Sequence, residues 1–314
     1  MSGGRQIRRG ILALLVGLSA LWLSACTAPH PDPGTPGQPL PPRAAETLRI
    51  ASYNVHFIRA DLAEGPWSLA DWEGRKHGLD AAFKALDADL IGFQELATIP
   101  ERGRAGENLA LAWLSARNPG YGVAAAGDGA DFPSGQAVFY RRDRLRLLDQ
   151  GWFHCDQPGQ SEDSRIDRLL RARQGWAYYC TWARFATRDG QRFQVYNVHF
   201  HHADQDRQRQ AAREVSDRVA PMLERGQMVF VLGDTNALSG WRTVQILRRS
   251  GLSIREAIGA SFHFNTGTHL FGAIDRIAHS PQIEQVGGPW LIDRQFEGAW
   301  PSDHYPLVGD YRLP

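Results

Sequence analysis

The sequence has little of three things: cysteine, net charge and long apolar runs. Only three of its 314 residues are cysteine, and 35 basic side chains nearly balance 34 acidic ones. Without a global positive field, the composition weighs mildly against a tight nucleic-acid binder, although it stays compatible with a local basic patch. Beyond the first 26 residues, no run approaches the roughly 20 apolar residues that a membrane-spanning helix needs.

The first 26 residues differ from the rest of the chain. Three arginines, Arg5, Arg8 and Arg9, precede a short apolar run over residues 11–23, and the segment ends in Leu-Ser-Ala-Cys at Cys26. A basic start, a short apolar core and small residues before a cleavage site are typical of an export signal. The ending resembles the lipobox of bacterial lipoproteins, which predicts a signal peptide over 1–25 and a lipidated Cys26. A cleaved signal with a chance cysteine is the alternative.

The segment 26–46 predicts a tether between this lipid and a folded domain. Seven of residues 28–43 are proline, a composition typical of a stiff, extended spacer. By resemblance to lipoproteins, Thr27 in place of Asp favours the outer membrane. Without residues 1–25, 32 basic and 34 acidic residues remain. Export places Cys155 and Cys180 in an oxidising compartment, which favours a disulfide over two buried thiols.

Residues 47–314 contain strand and helix patterns without an internal repeat or an interdomain linker. Apolar residues at helical spacing predict helices over 72–88, 107–117, 203–223 and 242–250. Alternating or continuous apolar runs predict strands over 48–55, 89–95, 136–140, 145–155, 178–185, 193–199, 229–232, 273–278 and 305–311. Strands mixed with a few helices predict α and β layers packed face to face in one domain.

Six apolar segments carry a carboxylate, an amide or an imidazole at a strand end or within a strand. The apolar run 229–232 leads straight into Gly-Asp-Thr-Asn, which places Asp234 and Asn236 at the predicted rim of a sheet. Alone, such residues are typical of a turn. The other five segments deliver Asn54, Glu95, His199, Asp275, and Asp303 with His304. Because six unrelated turns explain this repetition poorly, we interpret the segments as one site.

These segments read SYNVH, GFQE, YNVHF, GDTN, IDRI and SDH. Their order and spacing resemble the endonuclease/exonuclease/phosphatase superfamily over about 48–313. The resemblance implies an α/β fold, a four-layered α/β sandwich of two mixed β-sheets flanked by helices, with the site at one rim. It also implies that the strands bearing Cys155 and Cys180 are neighbours in one sheet, as a disulfide requires.

The resemblance implies hydrolysis of phosphate esters with a hard cation as cofactor, Mg²⁺ with Mn²⁺ as the alternative. Such hydrolysis needs a cation, an aligned water and groups that take up charge on the phosphoryl oxygens. Because Mg²⁺ prefers oxygen ligands, we predict Glu95 as the first ligand, assisted by Asn54 and Asp303.

The remaining motif residues are predicted to act on water and phosphate. By resemblance, Asp234 orients or deprotonates the water and Asn236 hydrogen-bonds the phosphate. His304 is held by Asp275, which fixes its tautomer and favours the imidazolium, and His199 is a second imidazole donor. The residues leave open which group is the general base and whether one or two metal ions act.

Some neighbouring residues depart from the pattern or add little to it. The family commonly has an aromatic residue where Thr235 stands, at a position expected to face the core. Arg207 and Gln210 match a family R-x-x-Q placement only loosely, and a solvated helix face explains them equally well. His201 and His202 are interpreted as solvated loop residues, with extra metal ligands as the alternative.

The sequence therefore predicts a monomeric, Mg²⁺-dependent phosphoesterase of the cell envelope. We expect a nuclease or phosphodiesterase, with nucleic acid as the favoured substrate and the lipid as the only membrane attachment. The alternatives are a sphingomyelinase-like phospholipid hydrolase, a phosphatase of small phosphate esters, and a lipoprotein that only binds its ligand. The arginine-bearing loop 156–176 is equally consistent with phosphate binding and with a solvated helix.

Overall fold

Two six-stranded sheets and four helices form the part of the chain that the structure describes. A computed structural model describes residues 39–99, 107–127, 135–155 and 179–314. The predictions for the signal peptide, Cys26 and most of the tether lie outside these residues, as does the loop 156–176. No helix among them is long and apolar enough to cross a membrane.

The described elements follow each other along the chain in a mixed α and β order. The strands are β1 (Leu48–Asn54), β2 (Ile58–Arg59), β3 (Leu90–Gln94), β4 (Thr98–Ile99), β5 (Tyr121–Ala124), β6 (Ala137–Arg141), β7 (Leu145–His154), β8 (Tyr179–Thr187), β9 (Arg192–His199), β10 (Met228–Asp234), β11 (Ser253–Ile254), β12 (Asp275–His279), β13 (Glu284–Leu291) and β14 (Leu307–Arg312). The helices are α1 (Leu69–Leu86), α2 (Leu109–Arg117), α3 (Gln205–Glu224) and α4 (Arg242–Arg249).

Both large sheets are mixed. The first has the strand order β13-β14-β1-β3-β6-β5, and the second has the order β11-β12-β10-β9-β8-β7. Within them, β1 pairs with β3 in parallel, and β9 pairs with β10 in parallel. Parallel neighbours end at the same edge of a sheet, so the polar residues that follow these strands lie at one edge of each sheet.

Alternate residues of the central strands face two different cores. In β10, Phe230 and Leu232 belong to the core between the sheets, whereas Val229 and Val231 pack with α3 and α4. In β1, Ile50 faces the other sheet, and Tyr53 packs with α1. Because successive side chains of a strand point to opposite faces, a strand buried on both sides reads as a continuous apolar run. The predicted four-layered sandwich of two mixed sheets is confirmed.

The helices lie close to their predicted positions. α1 begins at Leu69, three residues before the predicted start, because the Ser68 hydroxyl accepts a hydrogen bond from the Asp71 amide at 3.2 Å and caps the first turn. α3 begins after Asp204, whose carboxylate accepts from the Asp206 and Arg207 amides. The sequence patterns missed β13, in which Gly287, Gly288 and Pro289 interrupt the strand pattern, and the short strands β2, β4, β5 and β11.

The predicted disulfide was wrong. Cys155 and Cys180, the two cysteines that the structure describes, are both buried and are not bonded to each other. Strands β7 and β8 are neighbours as expected, but Cys180 lies opposite Phe153, so Cys155 is two residues away along the strand. Diagonal neighbours of this kind are about 7–8 Å apart, whereas a disulfide requires Cα atoms about 4.4–6.8 Å apart.

Gly233 permits the close approach of β10 to β9 directly before Asp234. Its φ is +138°, and a Cβ atom at this position would overlap the carbonyl oxygen of Val198. Both observations exclude a side chain, because L residues rarely adopt this backbone conformation and the obstructing atom belongs to the backbone of a central strand.

We therefore expect Gly233→Ala to lower the free energy of unfolding by more than about 2 kcal/mol. Gly240→Ala is the matched control, because its φ is ordinary and a Cβ there would meet no heavy atom within 4 Å. The control should change the stability by less than about 1 kcal/mol. Urea unfolding of both variants measures the difference, and equal stabilities would contradict the assignment.

Candidate active site

The ends of the central strands bring the motif residues of both sheets together. Asp234 lies opposite His199 in the parallel β9–β10 pair and opposite Asp275 in the antiparallel β10–β12 pair. Asn54 ends β1, and Glu95 directly follows the neighbouring strand β3. A cavity of about 550 Å³ opens at this edge, and its lining includes Glu95, His199, Asp234, Asn236, Asp303 and His304.

Asn54 joins the two carboxylates that face each other across the sheets. Its Nδ2 donates to Glu95 Oε1 at 3.1 Å and to Asp234 Oδ2 at 3.2 Å, while its Oδ1 accepts from the His56 amide at 3.2 Å. His199 Nε2 lies 3.6 Å from the same Glu95 oxygen and 3.8 Å from the same Asp234 oxygen. One amide and one imidazole therefore approach both carboxylates.

The His304 ring is hydrogen-bonded to one carboxylate and faces a second one. Its Nδ1 lies 2.8 Å from Asp275 Oδ2, and its Nε2 lies 3.7 Å from Asp234 Oδ2. Burial alone lowers the pKa of His304, but the charge and hydrogen bond of Asp275, followed by the charges of Asp234 and Asp303, raise it to about 10. The imidazolium is therefore the form of His304 at neutral pH.

The carboxylates Asp234 and Asp275 have opposite pKa shifts although they lie opposite each other. Burial, and then the charge of Asp275, raises the pKa of Asp234 to about 6, against the opposing charges of His304 and His199. Burial also acts to raise the pKa of Asp275, but the charge and hydrogen bond of His304 outweigh it and lower this pKa. Asp275 is thus the permanent anion, and Asp234 is the carboxylate that can take up a proton near neutral pH.

Asn236 and Asp303 are fixed mainly through their own segments. Asn236 has a positive φ of 48°, its amide donates to Asp234 Oδ1 at 2.8 Å, and its Nδ2 donates to the Phe200 carbonyl at 3.0 Å. Asp303 Oδ1 lies 3.4 Å from the Ser302 hydroxyl, which also donates to the Asn54 carbonyl at 2.7 Å. The structure thus places Asp303 at the same cavity as Glu95.

The donor set of the site fits a hard divalent cation. The carboxylate oxygens of Glu95 and Asp234 face the cavity, and oxygen ligands are the ones that Mg²⁺ and Mn²⁺ prefer. Possible ligand atoms of Asp234, Asp275 and His304 also lie within 4.8 Å of one another. Hydrogen bonds already occupy His304 Nδ1 and Asp275 Oδ2, and both oxygens of Asp234, so Glu95 is the better candidate to hold an ion.

A family model described as the Endonuclease/Exonuclease/phosphatase family matches residues 51–304, most of the chain. The chain belongs to this family. Its enzymes generally hydrolyse phosphate esters and depend on divalent metal ions. No curated protein sequence matches the chain.

Solved structures show the same fold. A mannosyl-6-phosphatase from Bacteroides thetaiotaomicron is 20% identical, with a TM-score of 0.68, and the match covers 85% of this chain and 100% of that one. The human nocturnin catalytic domain with bound sulfate is 14% identical, with a TM-score of 0.59 and coverages of 87% and 97%. TDP2 from D. rerio, complexed with a single-stranded DNA product, is 16% identical, with a TM-score of 0.56 and coverages of 85% and 99%.

Two buried side chains that the sequence analysis missed support the loops of this family site. Arg75 of α1 donates to the carbonyls of Val55 at 2.8 Å, His56 at 2.6 Å and Pro301 at 3.0 Å. It therefore links the segment after β1 to the segment that carries Asp303 and His304. The helical spacing of the apolar residues predicted α1, but no local signal in the sequence marks Arg75 as the inward-facing arginine.

Gln208 of α3 supports the loops after β9 and β10. Its Nε2 donates to the carbonyls of His201 at 2.8 Å and Asn236 at 2.9 Å, and the side chain is buried. The sequence analysis singled out Arg207 and Gln210 of the same helix, one position before Gln208 and two after it. The inward face of α3, marked by the burial of Gln208, Ala211, Ala212 and Val215, distinguishes it from those two.

We expect Gln208→Ala to lower the free energy of unfolding by about 1–3 kcal/mol, because two buried carbonyls lose their donor. It should also lower kcat, since the backbone that carries Asn236 loses its support. Gln210→Ala is the matched control, because Gln210 donates only to Glu214, at 3.1 Å on the same helix. Urea unfolding and steady-state kinetics measure both effects. Wild-type kcat in a destabilised Gln208→Ala would show that Gln208 supports only the fold.

Proposed function

We propose that this chain is a divalent-metal-dependent phosphodiesterase that acts on nucleic acid or related phosphodiesters. One observation carries the proposal: Asp234 and His304 face each other at 3.7 Å beside Glu95, in opposite states of protonation near neutral pH. A base next to a cationic donor is the pair that hydrolysis of a phosphate ester requires.

In this proposal Asp234 is the general base. With its pKa raised to about 6, the carboxylate is ionised at neutral pH and still basic enough to accept a proton from water. The Asn236 amide at 2.8 Å fixes the other oxygen of Asp234, so Oδ2 is the one directed toward His199 and His304. The sequence left this assignment open, and the burial of Asp234 now favours it.

His304 stabilises the charge that develops on the phosphoryl oxygens. Asp275 keeps the imidazole oriented and protonated, so Nε2 donates toward the cavity. His199, close to both Glu95 and Asp234, is placed to donate a second hydrogen bond to the substrate. Asn54 positions these groups, because its side chain holds Glu95 and Asp234 at a fixed separation.

The proposed cofactor is Mg²⁺, with Mn²⁺ as a substitute, held first by Glu95. When bound, the ion would supply Lewis-acid stabilisation of the phosphoryl oxygens. Asp303 at the same cavity remains an assisting ligand that we propose from the sequence. Asn54, the other assisting ligand predicted from the sequence, directs its NH₂ group at Glu95 and Asp234 and its oxygen at the His56 amide, so it positions the carboxylates instead.

We expect Asp234→Asn and His304→Ala each to lower kcat by about 10²–10⁴-fold, since one loses the base and the other the cationic donor. The double variant should lose less than the product of the two, because residues that act as a unit are not additive. Glu95→Ala should chiefly raise the Mg²⁺ concentration required. Hydrolysis of DNA, RNA, sphingomyelin and p-nitrophenyl phosphodiesters, with Mg²⁺ titrations, provides the measurement.

Arg59→Ala and its ion-pair partner Asp61→Ala are the controls for those kinetics, because this partly exposed pair at the end of β2 is not among the described residues that line the cavity. Both should keep wild-type kcat. If Asp234→Asn hydrolyses the best substrate at near the wild-type rate while folded, the site assignment fails, and a protein that keeps the fold but only binds its ligand becomes the better explanation.

We further propose that the domain is a monomer attached to the outer membrane solely through a lipid on Cys26. Support comes from the export signal before Cys26 and the proline-rich segment after it. Cys26→Ser should release a folded, active protein into the soluble fraction, whereas a conservative change at the neighbouring residue, Thr27→Ser, should not. Retention of Cys26→Ser on membranes after salt washing would contradict the proposal.

A further inference from the structure

Exposed large apolar side chains concentrate in one segment beside the active site. Among the described residues they are Trp67, Trp241, Ile258, Phe264, Leu270 and Phe271. Four of the six lie in residues 255–274, the segment between β11 and β12 that leads directly into Asp275. Scattered exposed apolar residues need no explanation, but a group at the edge of a catalytic cavity points to a ligand.

Three phenylalanines of this segment form a row that runs outward from His304. The ring centroid of Phe262 lies 5.0 Å from that of His304 and 4.2 Å from that of Phe264, and the Phe264 and Phe271 centroids are 6.5 Å apart. Exposure rises along the row, since Phe262 is half-buried in the cavity wall, Phe264 is 46% exposed and Phe271 is 60% exposed. We call Phe262, Phe264 and Phe271 the aromatic row.

The first ring of the aromatic row is fixed relative to the catalytic imidazole. Phe262 and His304 form an antiparallel bridge, in which the His263 amide donates to the Asp303 carbonyl and the Tyr305 amide donates to the Ser261 carbonyl, both at 2.8 Å. A group bound on the aromatic row therefore has a defined position relative to His304.

The turn that carries Phe264 is also fixed. Phe264 has a φ of 56°, which is an unusual conformation for a bulky residue. The preceding residue, His263, is buried. Its carbonyl accepts a hydrogen bond from the Thr266 hydroxyl at 2.7 Å, and its Nδ1 accepts one from the Gly267 amide at 3.3 Å. Its ring stacks on that of Tyr305 with a centroid distance of 4.0 Å. A surface ring held in this way is pre-organised for binding, which lowers the entropy lost when a ligand stacks on it.

A second aromatic pair lines the cavity. Phe57 and Trp67 stack with an interplanar angle of 3° and a centroid distance of 6.0 Å, and both belong to the lining. Lysine and arginine are absent from the described lining residues. The described part of the cavity wall therefore offers a substrate aromatic rings, rather than lysine or arginine side chains, next to the catalytic groups.

We propose that the aromatic row is a subsite for a planar ring, so that the enzyme acts on phosphate esters that carry such a ring next to the phosphate. The ring stacks on Phe264 and Phe271 while the phosphate lies at Asp234 and His304. A nucleobase and an aryl ester group share this chemistry. This inference rests on the proposed function and specifies its substrate class.

The test measures binding of ligand pairs that differ by the ring. Isothermal calorimetry at one Mg²⁺ concentration compares phenylphosphonate with methylphosphonate, whose P–C bonds resist hydrolysis, and thymidine 5′-monophosphate with deoxyribose 5-phosphate. We expect the ring-bearing ligand of at least one pair to bind about tenfold more tightly, as stacking on an aromatic side chain typically provides. The pair with the larger ratio identifies the source of the ring.

Phe264→Ala and Phe271→Ala should each reduce that ratio by several-fold, and Phe264→Tyr should retain it. Leu270→Ala is the matched control, because it removes a 65% exposed apolar side chain from the same segment and leaves the three rings of the aromatic row in place. It should keep the wild-type ratio. Because these side chains are exposed, we expect the variants to fold, and circular dichroism verifies this.

A wild-type ratio near one for both pairs would overturn the inference. So would tighter binding of octylphosphonate than of phenylphosphonate together with equal losses in Leu270→Ala and Phe264→Ala, since the segment would then bind apolar chains in general. The phosphonates cannot be hydrolysed, so the outcomes measured with them do not involve turnover. They are therefore distinct from failure of the proposed function, which an active Asp234→Asn would show.

Discussion

The active site depends on a hydrogen bond between the two sheets. Gln94 Nε2 donates to Asn197 Oδ1 at 2.7 Å, and Asn197 Nδ2 donates to the Phe93 carbonyl at 2.8 Å, in the buried layer between β3 and β9. A polar pair in an apolar interface is stable only when it is satisfied, so it admits one relative position of the sheets. Gly92 leaves the space for Asn197, because a Cβ there would lie 3.1 Å from its Oδ1 and would overlap Leu232. The carboxylates of one sheet are thereby held opposite those of the other.

That fixed separation creates the electrostatics of the site. Four acidic groups and two imidazoles of the motifs converge at the buried floor of the cavity, so the protein cannot leave all the carboxylates ionised without compensation. Asp275 is compensated by His304 at 2.8 Å, whereas Asp234, at a greater distance from any cation, is the group whose pKa rises. The proposed base Asp234 and the proposed orienting anion Asp275 thus differ in their distance to the same imidazole, 3.7 Å against 2.8 Å.

The sequence predicted the parts of this arrangement that depend on local pattern. Buried strands read as apolar runs, and the residues at their ends were assigned to one site. Six of these residues line one cavity, and Asn54 and Asp275 are hydrogen-bonded to lining residues. Such patterns could not predict contacts that depend on strand register. The strands of Cys155 and Cys180 are adjacent, but their offset of two residues separates the thiols. The inward position of Gln208 depends on how α3 is rotated against its sheet, which a highly polar helix sequence does not reveal.

The proposed chemistry and the proposed choice of substrate depend on different parts of the chain. The catalytic residues follow or begin strands of the central sheets, where burial and parallel pairing leave them little freedom. The segment from residue 255 to 273 belongs to none of the six motifs, and its exposed residues Phe264 and Phe271 lie at the surface, where a change of side chain perturbs few core contacts. Yet its backbone is tied to the His304 segment at Ser261 and His263, so a substitution at Phe264 alters what the site meets without moving the reacting groups. In the proposed subsite, specificity therefore comes from residues outside the motifs, because Phe262 shares a backbone bridge with His304.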